Sequence, residues 1–231
     1  MKIRIVKPLL SVTLNEITKS EVLLTKAPDT EFDIVNIDEG PMNIEFYYEE
    51  ILASSSVVEK VIQAEKEGWD GVFISCFADP AVKASRERVT IPVVGGFQPA
   101  ALVASLISDK WSIITISKKI IPLIRGEARK LGIENNIASI RHIDTSFSDL
   151  QNEKIIEERL LIQINRAVDE DGAEAIVLGC TGFGHIAQTL AKKMASEGEQ
   201  VSVISPTACA IGFLELLIRS GVLNSQFFLD K

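Results

Sequence analysis

Two cysteines end similar apolar segments that lie far apart in the chain. Residues 68–76 read Gly-Trp-Asp-Gly-Val-Phe-Ile-Ser-Cys, and residues 172–180 read Gly-Ala-Glu-Ala-Ile-Val-Leu-Gly-Cys. The first glycines, at 68 and 172, and the cysteines, at 76 and 180, are both 104 positions apart. If the segments are equivalent strands of two similar halves, Cys76 and Cys180 face each other across a cleft. One thiol can then accept a proton while the other donates one.

Such proton transfer needs one thiolate and one thiol. Each cysteine is followed by small residues and then by a predicted helix start, whose partial positive charge favours a thiolate. Two neighbouring thiols lose their protons in separate steps, so we expect one thiolate and one thiol at rest. The third cysteine, Cys209, lies in an apolar helical segment, and we predict that it is a core residue.

Composition excludes several classes of protein. The chain has 231 residues, a net charge of −8 and 46% hydrophobic residues, which is typical of a folded protein and not of a nucleic-acid binder. The first residues are too short and too charged an apolar run for a signal peptide, and no apolar run is long enough to span a membrane. We therefore expect a cytoplasmic protein without nucleic-acid or membrane partners. Three cysteines and two histidines, with no metal-ligand spacing, predict neither disulfides nor a metal site.

Strand-like and helix-like segments alternate in two rounds of four units. The predicted strands are residues 3–6, 33–37, 71–75, 92–94, 111–116, 137–143, 175–178 and 201–204. The predicted helices are residues 11–27, 51–68, 82–88, 100–108, 120–132, 153–172, 186–197 and 209–219.

This alternation predicts an α/β fold of two similar lobes. Each lobe is expected to be a four-stranded parallel sheet with helices on both faces, and the two to be related by pseudo-twofold symmetry. The predicted boundaries are 1–108 and 109–231, with C-terminal helices free to cross between lobes. Ligands of such sheets bind at the carboxyl ends of the strands, where Cys76 and Cys180 both lie.

Two residues after the first cysteine have simple structural interpretations. Asp79 precedes Pro80, a pair typical of a helix N-cap followed by proline at the first helical position. Arg86 is predicted to lie on a solvated helix face.

Four motifs resemble those of hydantoin and allantoin racemases. Residues 76–80 read Cys-Phe-Ala-Asp-Pro, similar to Cys-Phe-Gly-Asp-Pro, and residues 179–182 read Gly-Cys-Thr-Gly, similar to Gly-Cys-Ala-Gly. Residues 40–45 resemble Gly-Pro-x-Ser-Ile-Glu, and residues 92–100 resemble Pro-Val-x-Gly-Ile-x-Glu-Ala-Ala. The order is that of the family, which belongs to the aspartate/glutamate racemase superfamily.

The resemblance implies an isomerase that needs no cofactor. It would racemise or epimerise a carbon next to a carbonyl, with Cys76 and Cys180 as the catalytic acid and base. The implied substrate is a small molecule, most simply a 5-substituted hydantoin or allantoin. The resemblance also implies a homo-oligomer, a dimer or higher.

The same resemblance suggests residues that bind the substrate. Backbone N–H groups after the cysteines are expected to stabilise the enolate oxygen; they belong to Phe77, Ala78, Thr181 and Gly182. Pro8 and Ser11 lie in the segment that corresponds to the N-terminal motif and are also expected near the substrate. Phe46 follows the Gly-Pro motif; packing is its simplest role, and covering the substrate ring is the alternative.

The chain departs from the family at positions that bear on the substrate. The N-terminal motif Asn-Pro-Asn-Thr-Ser is replaced by Lys-Pro-Leu-Leu-Ser at residues 7–11, so we expect a lost polar contact. Gln98 replaces the glutamate of the fourth motif. Thr181 matches the amino-acid racemases, whereas Gly182 matches the hydantoin group.

Other functions remain open. An aspartate or glutamate racemase would need a site for two carboxylates, and the glutamate of its Gly-Cys-Thr-Glu motif is absent. A decarboxylase of the superfamily uses a single cysteine, whereas a maleate cis–trans isomerase uses two, one of them as nucleophile. A non-catalytic protein that binds a small ligand on this scaffold would not depend on the thiols.

Overall fold

In the computed structural model, which describes residues 1–146, 149–150, 152–196, 198 and 200–225, eight strands form two parallel sheets. The N-terminal lobe has the strand order β2-β1-β3-β4, and the C-terminal lobe has the equivalent order β6-β5-β7-β8. The strands are β1 (Lys2–Lys7), β2 (Glu31–Asn36), β3 (Gly71–Ile74), β4 (Val93–Val94), β5 (Trp111–Thr115), β6 (Ile137–His142), β7 (Ala175–Leu178) and β8 (Ser202–Ile204).

Helices connect the strands and cover the sheets. They are α1 (Asn15–Thr25), α2 (Tyr47–Lys66), α3 (Val82–Arg86), α4 (Phe97–Ile107), α5 (Ile121–Leu131), α6 (Glu153–Asp171), α7 (Ala187–Ser196) and α8 (Pro206–Arg219). The predicted fold class is confirmed, and each predicted element corresponds to one of these. The predicted end of α7, Glu197, lies outside the described residues. No helix in the described ranges is long and apolar enough to cross a membrane.

The central strands of the two lobes are equivalent in sequence and in register. β3 and β7 are short apolar runs that are buried along their whole length, as expected for parallel strands covered on both faces. β3 pairs with β1 so that Gly71 lies opposite Ile3, and β7 pairs with β5 so that Ala175 lies opposite Trp111. The cysteine that follows each strand therefore leaves its sheet at the same place.

The last helix of each lobe packs on the opposite lobe. α4 contacts β7 and β8, α8 contacts β3 and β4, and the two helices also contact each other. Leu214 of α8 is fully buried and belongs to the same apolar cluster as Ile5 and Phe73. A Cβ on Gly71 would lie 3.1 Å from the Leu214 side chain, so the helix packs closely on β3. This exchange of helices holds the carboxyl ends of both sheets together.

Asp79 caps a different helix from the one that was predicted. Its carboxylate accepts hydrogen bonds from the N–H groups of Phe97, at 2.7 Å, and Gln98, at 3.0 Å, at the start of α4. α3 instead begins after Ala81 without a side-chain cap. The local prediction is wrong because the loop after Cys76 folds back onto α4, whose free N–H groups are closer. Burial raises the pKa of Asp79 to about 7.

Arg86 also departs from its prediction. Its guanidinium donates to the Val93 carbonyl at 2.7 Å and to Gln98 Oε1 at 3.0 Å, and the residue is half-buried rather than fully solvated. It links α3 to β4 and to the start of α4.

The exchange of helices yields a stability test on α8. Replacing buried Leu214 with alanine should lower the free energy of unfolding by about 2–5 kcal/mol, because it leaves a cavity between the helix and β3. Leu216→Ala is a matched control, since Leu216 is 59% exposed and its loss should change stability by about 0.5 kcal/mol or less. Urea denaturation measures both, and equal effects would show that α8 is not docked on the N-terminal lobe.

Candidate active site

The two cysteines lie on equivalent loops, each two residues beyond a central strand. β3 ends at Ile74 before Cys76, and β7 ends at Leu178 before Cys180. The loops meet between the lobes, where the Thr181 hydroxyl donates a hydrogen bond to the carbonyl of Ser75 at 3.4 Å.

Both cysteines line one small cavity at this meeting point. Its volume is about 40 Å³. The lining is mostly apolar: Lys7, Leu9, Leu14, Ile44, Ser75, Cys76, Phe77, Ile116, Ile120, Gly179, Cys180 and Thr181. A larger depression of about 910 Å³ beside α3 and α5 contains neither thiol.

Each sulfur accepts a hydrogen bond from the backbone two residues further on. The Gly182 N–H donates to Cys180 Sγ at 3.3 Å, and the Ala78 N–H donates to the sulfur of Cys76. These two N–H groups were expected to face a substrate oxygen, but the thiols use them. The N–H groups of Phe77 and Thr181 have no acceptor in the described part of the chain, and both residues line the cavity.

The thiols are harder to ionise than the sequence suggested. Burial raises the pKa of Cys76 to about 12 and also raises the pKa of Cys180, although the N–H hydrogen bonds act in the opposite direction. The expected net lowering of the thiol pKa values is wrong, because the cost of burial outweighs the hydrogen bonds and the charge of Lys7 that favour the thiolate. A thiolate at Cys180 would raise the pKa of Cys76 further.

Sequence reasoning missed two buried ionisable residues beside the thiols. Lys7 ends β1, is 1% exposed and belongs to the cavity lining. Glu21 on α1 is 2% exposed, and burial raises its pKa to about 7. The signal for Lys7 was its position, since a lysine ends an apolar strand where the family motif has asparagine. Glu21 carries no such signal, because an isolated glutamate in a helix is normally exposed.

Five predicted binding residues lie outside the cavity lining: Ala78 and Gly182, described above, and Pro8, Ser11 and Phe46. Pro8 is buried just after β1, while Ser11 exchanges hydrogen bonds with Thr13 in the turn before α1. Phe46 is 47% exposed and immediately precedes α2, with its ring 5.7 Å from the ammonium of Lys119. Their contact with substrate stays a prediction, whereas Leu9 and Ile44 from the same two motifs do line the cavity.

Cys209 is separate from the pair. It lies in α8, packs against the apolar core, and has a pKa that burial raises to about 12. It does not line the cavity, in agreement with a core role. Among the described residues, no group of three or more His, Cys, Asp or Glu side chains is arranged to hold a metal ion.

Comparison with known proteins assigns this arrangement to a family. The sequence profile of the family described as Asp/Glu/Hydantoin racemase matches residues 12–214. The chain belongs to that family. Hydantoin racemases from Rhizobium meliloti and a Pseudomonas species are 32% and 29% identical to it, over 98% of this chain and 92% and 89% of theirs.

The solved structures agree with this assignment. Allantoin racemase from Klebsiella pneumoniae superimposes with a TM-score of 0.93 at 28% identity, over 100% of this chain and 94% of that one. Together with the hydantoin racemases, it identifies the enzyme class as an isomerase, specifically a racemase.

The contact between the cysteine loops yields a second stability test. Gly96 has φ −90°, but a Cβ there would lie 2.9 Å from the Cys76 carbonyl oxygen and 3.1 Å from Thr181 Cγ2. Gly96→Ala should therefore lower the free energy of unfolding by about 1–3 kcal/mol through overpacking. A Cβ at Gly212 of α8 has no neighbour within 4 Å, so Gly212→Ala should raise stability by about 0.5–1 kcal/mol. Thermal unfolding distinguishes the two, and a neutral Gly96→Ala would contradict the close packing.

Proposed function

We propose that this racemase acts without a cofactor on 5-substituted hydantoins or allantoin, with Cys76 and Cys180 as its base and acid. The observation that carries the proposal is that both thiols line one cavity from equivalent loops of the two lobes. A proton can then leave one face of a carbon and return to the other. The similarity to hydantoin racemases and to an allantoin racemase supports this choice of substrate.

In the proposed reaction the proton changes sides and nothing else is gained or lost. The thiolate of one cysteine removes the proton from the substrate carbon, and the electron pair of that C–H bond moves onto the neighbouring carbonyl to form an enolate. The thiol of the other cysteine then protonates the opposite face and becomes the thiolate. The reverse direction uses the same two sulfurs in exchanged roles.

The enolate oxygen needs hydrogen-bond donors that the protein does not already use. The N–H groups of Phe77 and Thr181 meet this requirement, because each follows a catalytic cysteine and has no acceptor in the described ranges. Fixed donors in an apolar cavity stabilise the negative charge that develops in the transition state. Ala78 and Gly182 support the reaction differently, by holding the sulfurs.

The cavity lining favours a cyclic ureide over an amino acid. In a hydantoin the reacting C–H is next to a ring carbonyl, so it is more acidic than in a free amino acid, and the ring has no free carboxylate. Within the described part of the chain, Lys7 is the only Lys, Arg, Asp or Glu in the lining. A dicarboxylate such as aspartate would need more positive charge than one lysine supplies.

Optical activity tests both parts of the proposal. Enantiopure hydantoins and allantoin should lose optical rotation with the wild-type enzyme, and Cys76→Ala and Cys180→Ala should each slow this loss by about 10²–10⁴-fold. Cys209→Ala is the matched control and should retain activity. Retained rotation with the wild type would refute the substrate class, and an unchanged rate in either mutant would refute the two-thiol mechanism.

Exchange of the substrate's reacting proton in deuterated water distinguishes the roles of the two thiols. Cys76→Ala keeps the thiol of Cys180, so it should still exchange the reacting proton of one enantiomer without inverting it. Cys180→Ala should show the opposite preference. Proton NMR of recovered substrate measures this, and exchange of the same enantiomer by both mutants would contradict opposed faces.

A further inference from the structure

A buried lysine shares the cavity with the two thiols. Lys7 Nζ donates hydrogen bonds to Thr18 Oγ1 at 3.0 Å and to Ser75 Oγ at 3.1 Å. An ammonium has three N–H donors, and the third has no acceptor in the described part of the chain. Because Lys7 also lines the cavity that contains Cys76 and Cys180, this remaining donor is available to groups there.

The charge of Lys7 has few possible partners. Three ionisable groups face it, namely Cys180 and Cys76 from the loops after β7 and β3, and Glu21 from α1. The two hydrogen bonds that its ammonium makes go to neutral hydroxyl groups. A buried charge without a counter-ion costs several kcal/mol. Burial accordingly lowers the pKa of Lys7, and a negative charge on Cys180, Cys76 or Glu21 acts in the opposite direction and favours the ammonium.

Glu21 is a poor counter-ion near neutral pH. Its pKa is raised to about 7 because it is buried, so a large fraction of the carboxyl is protonated at that pH. Its carboxyl accepts a hydrogen bond from Ser205, just before α8, and it forms no direct hydrogen bond with Lys7 among the described residues. When Glu21 is neutral, Cys76 and Cys180 are the remaining groups named above that can give the Lys7 ammonium a counter-ion.

We propose that the Lys7 ammonium is the shared counter-charge of the two catalytic thiols and stabilises whichever of them is ionised. The two directions of racemisation need the thiolate on opposite sides of the substrate, and a cation that faces both sulfurs serves both directions. Lys7 acts through Cys76 and Cys180, so it is a positioning residue. This inference rests on the two-cysteine function proposed above.

The electrostatic balance at the thiols agrees with this role. Burial raises the pKa of both cysteines, and the positive charge of Lys7 acts on both in the opposite direction. Ionised Glu21 raises the pKa of Cys180, so it competes with the thiolate for the same cation. Loss of Lys7 and loss of the Glu21 charge should therefore shift thiol ionisation in opposite directions.

Thiol ionisation tests the proposal without any substrate. In a Cys209→Ala background, the ultraviolet absorbance of the thiolate is followed as the pH is raised. Lys7→Met and Lys7→Asn should move the midpoint to higher pH, because the cation is gone. Alkylation by iodoacetamide at neutral pH should slow about tenfold or more, since one unit of pKa changes the thiolate fraction about tenfold.

Two further variants test the direction of the shift in thiol ionisation and whether it is specific to Lys7. Glu21→Gln removes the competing negative charge and should move the midpoint to lower pH. Lys2→Met, at the exposed start of β1, changes the net charge by the same amount as Lys7→Met and should leave the midpoint unchanged. An unchanged midpoint in the folded Lys7 variants, or an equal shift in Lys2→Met, would overturn the proposal.

A comparison of two reagents on the wild-type cysteines does not depend on whether the variants fold. Iodoacetate is negatively charged and iodoacetamide is neutral, so a nearby cation should speed alkylation by iodoacetate relative to alkylation by iodoacetamide. The ratio of the iodoacetate rate to the iodoacetamide rate should then exceed the same ratio for glutathione in the same buffer. A ratio no higher than that of glutathione would overturn the role of Lys7. Neither titration nor alkylation involves a hydantoin, so failure of the Lys7 proposal is distinguishable from failure of the proposed substrate.

Discussion

Desolvation of two thiols where the lobes meet is the constraint on which the site depends. Partial exclusion of water from these half-buried cysteines raises the pKa of both Cys76 and Cys180. The protein opposes this cost with groups that favour a negative sulfur: one backbone N–H for each thiol and the buried ammonium of Lys7. The same exclusion of water strengthens each of these interactions, because a charge acts more strongly in a medium of low dielectric constant.

The exclusion of water depends in turn on how the lobes are joined. α4 and α8 each pack on the sheet of the other lobe, so the carboxyl ends of both sheets are held against each other. Asp79 fastens the loop after Cys76 to the start of α4, and Gly96 allows the backbone beside Cys76 to approach Thr181. The position of the thiols is thus set by contacts between residues that are far apart in the sequence.

The amino-acid sequence by itself determined the repeated strand–helix order, the equivalence of Cys76 and Cys180 and the family, because these follow from local periodicity and from motifs read along the chain. It did not determine the state of the thiols, the helix capped by Asp79 or the burial of Lys7 and Glu21. Each of these depends on desolvation or on partners from distant segments, and local pattern carries no record of either. Only the tertiary structure decided that the N–H groups of Ala78 and Gly182 hold the sulfurs, whereas those of Phe77 and Thr181 have no acceptor in the described part of the chain.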